Sequence, residues 1–466
     1  MFYRSGTPGA GRGIRSIFWE TSMWLLTESI SLTMALFGIY GTAQAAPEAS
    51  ADITPRVFVH IRPEVRTNPT FQSGLDDTMY STSQSVRAGL KAKRGVFSAV
   101  VDLQGTQSWG ARSSSTGAEP TVYPYQGYLQ VGSGKNWLRF GRQEVQLQNG
   151  WHISAAPWNV VGRTFDGVRG HAEAGDWTID GFALTLAAPF ARTELTPASE
   201  DGLIPPTYTG PSLGETHAGL FSTWKASKSV ELSPMAMARF GGPSLEDPDR
   251  SLWWVSPGAR LFLTPKQSMV DLVVMGQLGD RSDVPIRAYS AMLRARQGLG
   301  DSPLKPGVGV ILEQNSGSAC STELECNPEV IQDFQTGFGR NHFLRGNADQ
   351  FRGTNLRDLG LSVDSTPWAG GPKRKLKLTV EGHLFQMVNP EGVWLSAVGT
   401  VQGQGWEVGN TDPNLAWEVD ALADLRLGKV AHLDGGFCFV QPIGVGERLT
   451  GGAPMTYAFA RNRFRF

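Results

Sequence analysis

Arginines recur beside aromatic residues between positions 137 and 170, in WLRFGRQEVQLQNGWHISAAPWNVVGRTFDGVRG. A guanidinium group is planar, keeps its charge at all ordinary pH values and holds a carboxylate through two parallel hydrogen bonds. The glycines make one continuous helix improbable, so the stretch predicts a strand, a loop and a second strand that together present these groups to a carboxylated ligand. The charged residues concerned are Arg139, Arg142, Arg163, Asp166 and Arg169.

The elements that position these residues show an alternation with a period of two. In 57–66, Val57, Val59, Ile61 and Val65 oppose a face with Arg62 and Arg66, and the same pattern returns in 86–92, 375–384 and 417–427. Clusters of Gly, Pro, Asn, Asp and Ser separate such segments, which is typical of an all-β protein. These strands fit either a sandwich with a wet outer face or a membrane barrel with apolar residues outward and ionisable residues inward.

The C-terminal segment 457–466 favours the membrane barrel. It alternates up to a final phenylalanine, Phe466, and resembles the closing strand by which outer-membrane barrels are recognised for insertion. On this interpretation Ala458, Ala460, Phe464 and Phe466 face lipid, Asn462 is a poor fit, and Arg461, Arg463 and Arg465 face the lumen. The alternative is an ordinary amphipathic terminal strand. Aromatic residues near strand ends, including Trp137, Trp253, Trp254 and Trp417, fit interfacial girdles.

The pattern G-R-Q at 141–143, followed about twenty residues later by R-x-F-D-G-x-R at 163–169, resembles the bacterial alginate-export family of outer-membrane porins. The resemblance implies a transmembrane antiparallel β-barrel in the cell outer membrane. It also implies passive export or diffusion of an anionic, alginate-like polysaccharide or oligosaccharide through a lumen containing arginines. Arg142, Arg163, Asp166 and Arg169 fall on the family's recurrent positions; Arg139, Arg461, Arg463 and Arg465 join the predicted substrate path from alternation alone.

Length and the N-terminal segment set the expected size of the barrel. Arg4, Arg12 and Arg15 precede an apolar stretch, 32–40, and a small-residue cleavage site ending at Ala45, so residues 1–45 are predicted to be a secretory signal peptide. Residues 46–466 then form one barrel domain. At roughly 10 residues per tilted strand plus turns, we expect about 18 strands, within a range of 16–18.

Charge and cysteine content narrow the function classes. With 42 basic and 43 acidic residues, nucleic acid is not an expected partner; the expected partners are the polysaccharide, outer-membrane lipid and periplasmic secretion-complex proteins. The near-neutral total also keeps a general porin, or one for another substrate, open as an alternative. Cys320 and Cys326 either form a disulfide or stay as two thiols, and no spacing of His or Cys predicts a metal site or a cofactor.

Two further classes remain as alternatives. A barrel enzyme would need a nucleophile and a base, for which His152 and Ser154 lie on one face of a short run, and a soluble carbohydrate-binding β-protein would use exposed tryptophans. We predict no enzymatic activity. The polar stretches 113–120, 194–214, 244–250 and 315–328 are predicted to be external loops, with no separate folded plug.

Overall fold

The computed structural model describes residues 51–74, 77–110, 121–186, 216–241, 251–320, 322, 326, 328–371 and 373–466. The predicted signal peptide and the predicted loops 113–120, 194–214 and 244–250 lie outside these residues. The strands are β1 Asp52–Thr67, β2 Met79–Arg94, β3 Phe97–Trp109, β4 Thr121–Ser133, β5 Asn136–Gln143, β6 Phe165–Ala174, β7 Trp177–Leu186, β8 Thr216–Ser227, β9 Val230–Gly241, β10 Leu252–Leu263, β11 Ser268–Arg281, β12 Val284–Gly298, β13 Gly307–Asn315, β14 Leu356–Ala369, β15 Arg374–Gln386, β16 Asn414–Leu427, β17 Ala431–Pro442 and β18 Met455–Arg465. One short helix, α1, spans Val445–Thr450.

These strands form a single closed sheet. Each strand pairs antiparallel with its neighbours along the chain, and β1 pairs with β18 to close the ring, with Val65 opposite Ala458. Beyond β18, the backbone of Phe466 exchanges hydrogen bonds of 3.2 and 3.0 Å with Val57. A closed sheet leaves no unpaired edge, which is the condition for strands to lie in lipid. The predicted all-β barrel and its strand number of about 18 are confirmed.

The two faces of the sheet differ as the alternation predicts. Outward residues are apolar and exposed on the isolated chain, for example Leu361 at 68%, whereas inward Arg62 is fully buried. Trp253 and Trp417 face outward near one end of the barrel, and Trp177 and Trp224 stack on each other near the other end. These four fit interfacial girdles. Two tryptophans predicted to join the girdles point inward instead, because they fall on the lumenal register: Trp254 is buried and donates to Gln335 Oε1 (3.1 Å), and Trp137 stacks on His171.

The connections at the two ends of the barrel differ in length. At one end the strands are joined by segments of two to eight residues; at the other, all connections but the turn at Ser282 and Asp283 are longer. Outer-membrane barrels carry short periplasmic turns and long extracellular loops. We therefore assign the short-turn end to the periplasm. No helix in the described part of the chain is long and apolar enough to cross a membrane.

The interior holds three of the long connections, which we call the first (144–164), second (316–355) and third (387–413) lumenal loops. Their apolar side chains pack against lumenal residues of the strands in two buried clusters. Exposing such residues to water would forfeit roughly 1.5–3 kcal/mol for each large side chain, so these loops fold inward. The prediction that 315–328 is an external loop is corrected at its start, where Asn315, Ser316 and Ser318 are buried. Cys320 and Cys326 form a disulfide.

Candidate functional site

The first lumenal loop is held against the inner wall mainly through its backbone. Arg62 on β1 donates to the carbonyl oxygen of Trp158, and Arg461 on β18 donates to that of Pro157 at 3.3 Å. The second lumenal loop is anchored in the same way. Arg66 donates to the carbonyl of Ala348 at 2.8 Å, and Arg294 donates to those of residues 343 and 344 at 3.0 and 2.6 Å. Lumenal arginines therefore fix the loops that narrow the barrel.

Trp158 joins the two loops by stacking. Its ring lies 3.5 Å from that of His342, centroid to centroid and nearly parallel, while the guanidinium carbons of Arg62 and Arg461 lie 4.1 and 4.6 Å from the Trp158 centroid. Asp349 accepts hydrogen bonds from Trp158 Nε1 (3.1 Å) and interacts with His342 Nδ1 (3.0 Å). Cation–π and stacking contacts of this kind are strengthened when they are desolvated.

His342 has an environment that disfavours its charged form. Burial lowers the pKa of His342 to about 4, against the opposing influence of Asp349, and the nearby charges of Arg461 and Arg62 lower the pKa further. Its Nε2 atom is buried with no hydrogen-bond partner. A second proton would therefore sit on an unsolvated nitrogen beside two guanidinium groups.

Three arginines of the lumenal loops, Arg163, Arg340 and Arg352, share the lack of a carboxylate partner among the described residues, and we call this set the unpaired arginine cluster. Arg163 donates only to backbone carbonyls: Ser154 at 3.3 Å, Gly339 at 3.5 Å, and Phe338. Among the described residues, the side chains of Arg340 and Arg352 have neither a hydrogen bond nor an ion pair. The cluster thus carries three positive charges with no carboxylate partner.

Burial and nearby positive charges lower the pKa values of these three arginines. Burial lowers the pKa of Arg163 to about 10, and the charge of Arg352 acts in the same direction. Burial is the main cause that lowers the pKa of Arg352 to about 10, and the positive charge of Arg239 adds to it. For Arg340, burial and then the charge of Arg294 lower the pKa to about 10. All three remain protonated at neutral pH, so the lumen concentrates positive charge here.

Most other lumenal arginines are neutralised by a partner on the barrel wall. Arg260 binds Asp271 through two hydrogen bonds of 2.6 and 2.9 Å, and Arg296 binds Asp364 in the same way at 2.6 and 2.7 Å. Arg345 pairs with Glu313 at 2.5 Å. Such pairs satisfy each other, whereas Arg163, Arg340 and Arg352 have no carboxylate partner among the described residues.

Six of the residues predicted for the substrate path lie on the lumenal side, but not in one group. Arg139 and Arg169 are cross-strand neighbours, the first bonded to Gln130 (2.8 Å) and the second to Asp180 (2.7 Å). Arg461, Arg463 and Arg465 follow one face of β18, where Arg461 and Arg463 share Asp434 at 2.8 and 3.1 Å. Arg163 stands apart from both sets, in the first lumenal loop. Alternation placed the β18 arginines correctly on the inner face.

Arg142 and Asp166 do not face the lumen, which corrects their predicted position. They form a two-bond pair of 2.8 Å each, and Arg142 lies opposite Gly127 and Asp166 opposite Thr185, both on the outer register. Phe140 and Val168, two positions away on the same face, are exposed to the outside. The pair sits where β5 and β6 meet the first lumenal loop, so its charges satisfy each other near the membrane boundary.

Two cavities adjoin the inner wall. One of about 310 Å³ is bordered by Arg56, Arg87, Asp102, Glu144 and Arg465. The other, of about 550 Å³, lies at the short-turn end and is bordered by Arg296, Lys305, Asp364, Lys375 and Lys377. In both cavities basic residues outnumber acidic ones.

Arg340 and Arg352 were not among the residues predicted from the sequence. They belong to a segment without period-two alternation, between Asn315 and Leu356, where strand faces cannot be assigned. Its 40 residues are far longer than a usual strand connection, and structureless connections of that length are uncommon unless they have a function. The sequence GFGRNHFLRG, which mixes arginines with aromatic residues, was the available signal.

The alternative of a catalytic His152 and Ser154 finds no support in the geometry. Ser154 Oγ donates to Gln146 Oε1 (3.4 Å) and accepts from the backbone of Ala156, while the His152 ring stacks on Trp151. Burial lowers the pKa of His152 to about 3. No hydrogen bond joins His152 to Ser154 in the described first lumenal loop.

Comparisons with known proteins agree with the barrel. The model of the family described as alginate export matches residues 52–437. The fold is similar to three solved Pseudomonas aeruginosa structures: OpdL (TM-score 0.57, 10% identity, 89% of this chain and 99% of that one), OpdK with vanillate (0.53, 10%, 88% and 98%) and OprD (0.53, 11%, 89% and 95%). The search of curated proteins gave no match. The family and the fold are those of transport channels rather than enzymes. The chain therefore belongs to the alginate-export family and is a β-barrel channel of the outer membrane.

Proposed function

We propose that the channel passively conducts an anionic, alginate-like polysaccharide or oligosaccharide past the unpaired arginine cluster. The observation that carries this proposal is the absence of any carboxylate partner for Arg163, Arg340 and Arg352 among the described residues. Fixed charge at a constriction sets which ions enter a pore. A uronate carboxylate supplies the charge that these three groups lack.

Conduction of a long chain needs several weak sites rather than one strong site, because binding must also release the cargo. Paired arginines offer such sites. Arg169 and Arg461 keep their carboxylate partners and present only part of their donors to the lumen, whereas the unpaired cluster presents more. A uronate chain would thus be held most strongly at the narrowed middle and released toward either end.

The proposed partners of the channel follow from the orientation of the barrel in the membrane, with its short-turn end toward the periplasm. The outer face contacts outer-membrane lipid, and the short-turn end, which faces the periplasm, is where periplasmic secretion-complex proteins would deliver the cargo. A small carboxylated solute is the second candidate cargo. It is favoured by the solved structure of OpdK with vanillate, which has a similar fold.

Planar-bilayer recording tests the proposal. Arg340→Gln and Arg352→Gln should reduce the anion preference measured from the reversal potential in a salt gradient, and should weaken block by oligouronates. Arg142→Gln is the matched control, since it also removes one arginine but from the outer face. Equal anion preference in all four proteins would contradict the role of the cluster. Block by monomeric carboxylates but not by oligouronates would support the small-solute channel instead.

A further inference from the structure

Four ionisable side chains form a compact square on the lumenal face of β15 and β16. His383 lies directly across from Glu418, and Glu381 directly across from Asp420. Successive lumenal positions on one strand are two residues apart, so all four groups project from the same patch of wall. Cys438 on β17 lies opposite Asp420 and extends the patch by one strand. His383, Glu418, Asp420 and Cys438 are all buried.

His383 is oriented as a metal-binding histidine. Its Nδ1 contacts both oxygens of Asp358, at 2.9 and 3.1 Å, and its Nε2 has no hydrogen-bond partner although the ring is almost fully buried. Nε2 points into the square, 3.8 Å from Glu381 Oε2, which is too long for a hydrogen bond. A carboxylate on one ring nitrogen, with the other nitrogen left open, is the usual arrangement around a bound metal ion.

The carboxylates of the square also keep open lone pairs. Glu418 Oε1 accepts the backbone N–H groups of Asn347 and Ala348, at 2.7 and 2.9 Å, but Oε2 has no partner. Asp420 Oδ2 accepts from the side chain of Asn347 (2.7 Å), and Oδ1 has none. Buried charges need a partner or a bound ion. His383 Nε2, Glu418 Oε2 and Asp420 Oδ1 are thus three buried ligand atoms without a hydrogen-bond partner on one patch of wall.

We propose that this square binds a divalent transition metal ion, with Zn²⁺ as the expected occupant. The ligand atoms of Glu381, His383 and Asp420 lie within 4.8 Å of one another, and those of Glu418, Asp420 and Cys438 meet the same limit. Zinc accepts nitrogen, oxygen and sulfur ligands, and the imidazole favours it over calcium or magnesium. Glu381, His383 and Asp420 are the primary ligands, and Glu418 Oε2 is the fourth.

The site has an entry route and a structural consequence. The side chain of Glu381 is 18% exposed, which opens the square toward the lumen. Glu418 and Asp420 also hold Asn347 and Ala348 of the second lumenal loop, so the ion fixes the wall beneath the loop that carries Arg340, His342 and Arg352. This inference does not depend on the cargo. The spacing of residues along the sequence did not predict this zinc site, because its ligands come from neighbouring strands whose register brings them together.

Zinc binding is measured on the full-length protein purified in detergent. After EDTA treatment and return of Zn²⁺, elemental analysis should find one zinc per chain, and competition with a chromophoric chelator gives the affinity. His383→Gln and Asp420→Asn should abolish this binding. Asp358→Asn should weaken zinc binding by about 10–100-fold, because Asp358 orients the ligand His383 through Nδ1. His171→Gln is the matched control, since His171 is a lumenal histidine that also contacts an aspartate, Asp180, at 3.2 Å.

Three results would overturn the zinc proposal. A wild-type chain that retains no zinc after gel filtration would overturn the proposal. Zinc binding that is as tight in His383→Gln as in His171→Gln would also overturn it, as would calcium binding that is indifferent to His383→Gln. If the variants fail to fold, the melting temperature of the wild-type protein with Zn²⁺ against EDTA decides: an equal melting temperature is the contrary result.

Discussion

Acidification should loosen the contact between the first and second lumenal loops through His342. The ring is neutral in the closed arrangement, where burial lowers its pKa to about 4, whereas in an opened loop it returns to an ordinary value of about 6.5. The open form therefore binds the proton first. The contribution of His342 to closure is complete above pH 6.5 and is lost as the pH falls from 6.5 to about 4.

The magnitude follows from the two pKa values. One pKa unit corresponds to about 1.36 kcal/mol, so a fall from about 6.5 to about 4 gives at most about 3.4 kcal/mol in favour of the open form below pH 4. This corresponds to an increase in the open population of roughly 300-fold. His152 shifts in the same direction, with a pKa of about 3, and adds to the effect. Neither histidine favours the open form above pH 7, where both are neutral in either form.

Hydrogen exchange of the second lumenal loop measures this opening directly. Exchange at the amides around Leu344 and Arg345, whose N–H groups bond to the carbonyl of Asn341, should accelerate between pH 6.5 and 4.5 after correction for the intrinsic rate. His342→Asn keeps a donor toward Asp349 but does not titrate, so its exchange should lose most of this acid dependence. Unchanged protection in the wild type over this range, or an equal acid response in His342→Asn, would refute the reasoning.

Two further predictions concern the same region. Trp158→Ala removes the stack on His342 and both cation–π contacts. Truncation of a buried tryptophan should cost about 3–5 kcal/mol, and hydrogen exchange should become faster in both the first and the second lumenal loop. Faster exchange in the first loop alone would contradict the coupling between the loops. Arg62→Met removes the 3.0 Å ion pair between Arg62 and Glu64 inside the barrel. Removing one member of a buried pair costs about 3–5 kcal/mol, so the heat-modifiable gel shift should occur at a lower temperature. An unchanged temperature would show that Ser81 and Tyr457, which also contact Glu64, are enough to stabilise its charge.

The sequence predicted the wall of the barrel better than its contents. Alternation assigned Arg62, Arg66 and the β18 arginines to the inner face, because the period of two is unbroken where β1 pairs with β18. The same rule separates Arg139 from Arg142, since they are three positions apart, and the expectation that both line the lumen ignored this. A charge on the outer face is tolerated here because Asp166 neutralises it through two hydrogen bonds near the membrane boundary.

The loops inside the barrel follow no such rule. The position of Arg352 depends on contacts between segments far apart in the chain, such as the backbone bond from Arg352 to Leu395 at 3.0 Å. The square around His383 depends on which residues of β15 and β16 stand in register, and strand register is set by the whole sheet and its turns. Local patterns therefore identify lumenal residues one strand at a time, but not the groups that they form together.

The arginines that anchor the lumenal loops donate hydrogen bonds mainly to main-chain atoms. Arg62, Arg461, Arg66 and Arg294 donate to carbonyl oxygens of the loops, and every residue type carries such an oxygen. The barrel wall thus fixes the backbone path of each loop without depending on the side chains that the loop carries. Side chains along the passage can be exchanged, by evolution or by an engineer, to retune which solute passes while the loop keeps its place in the pore.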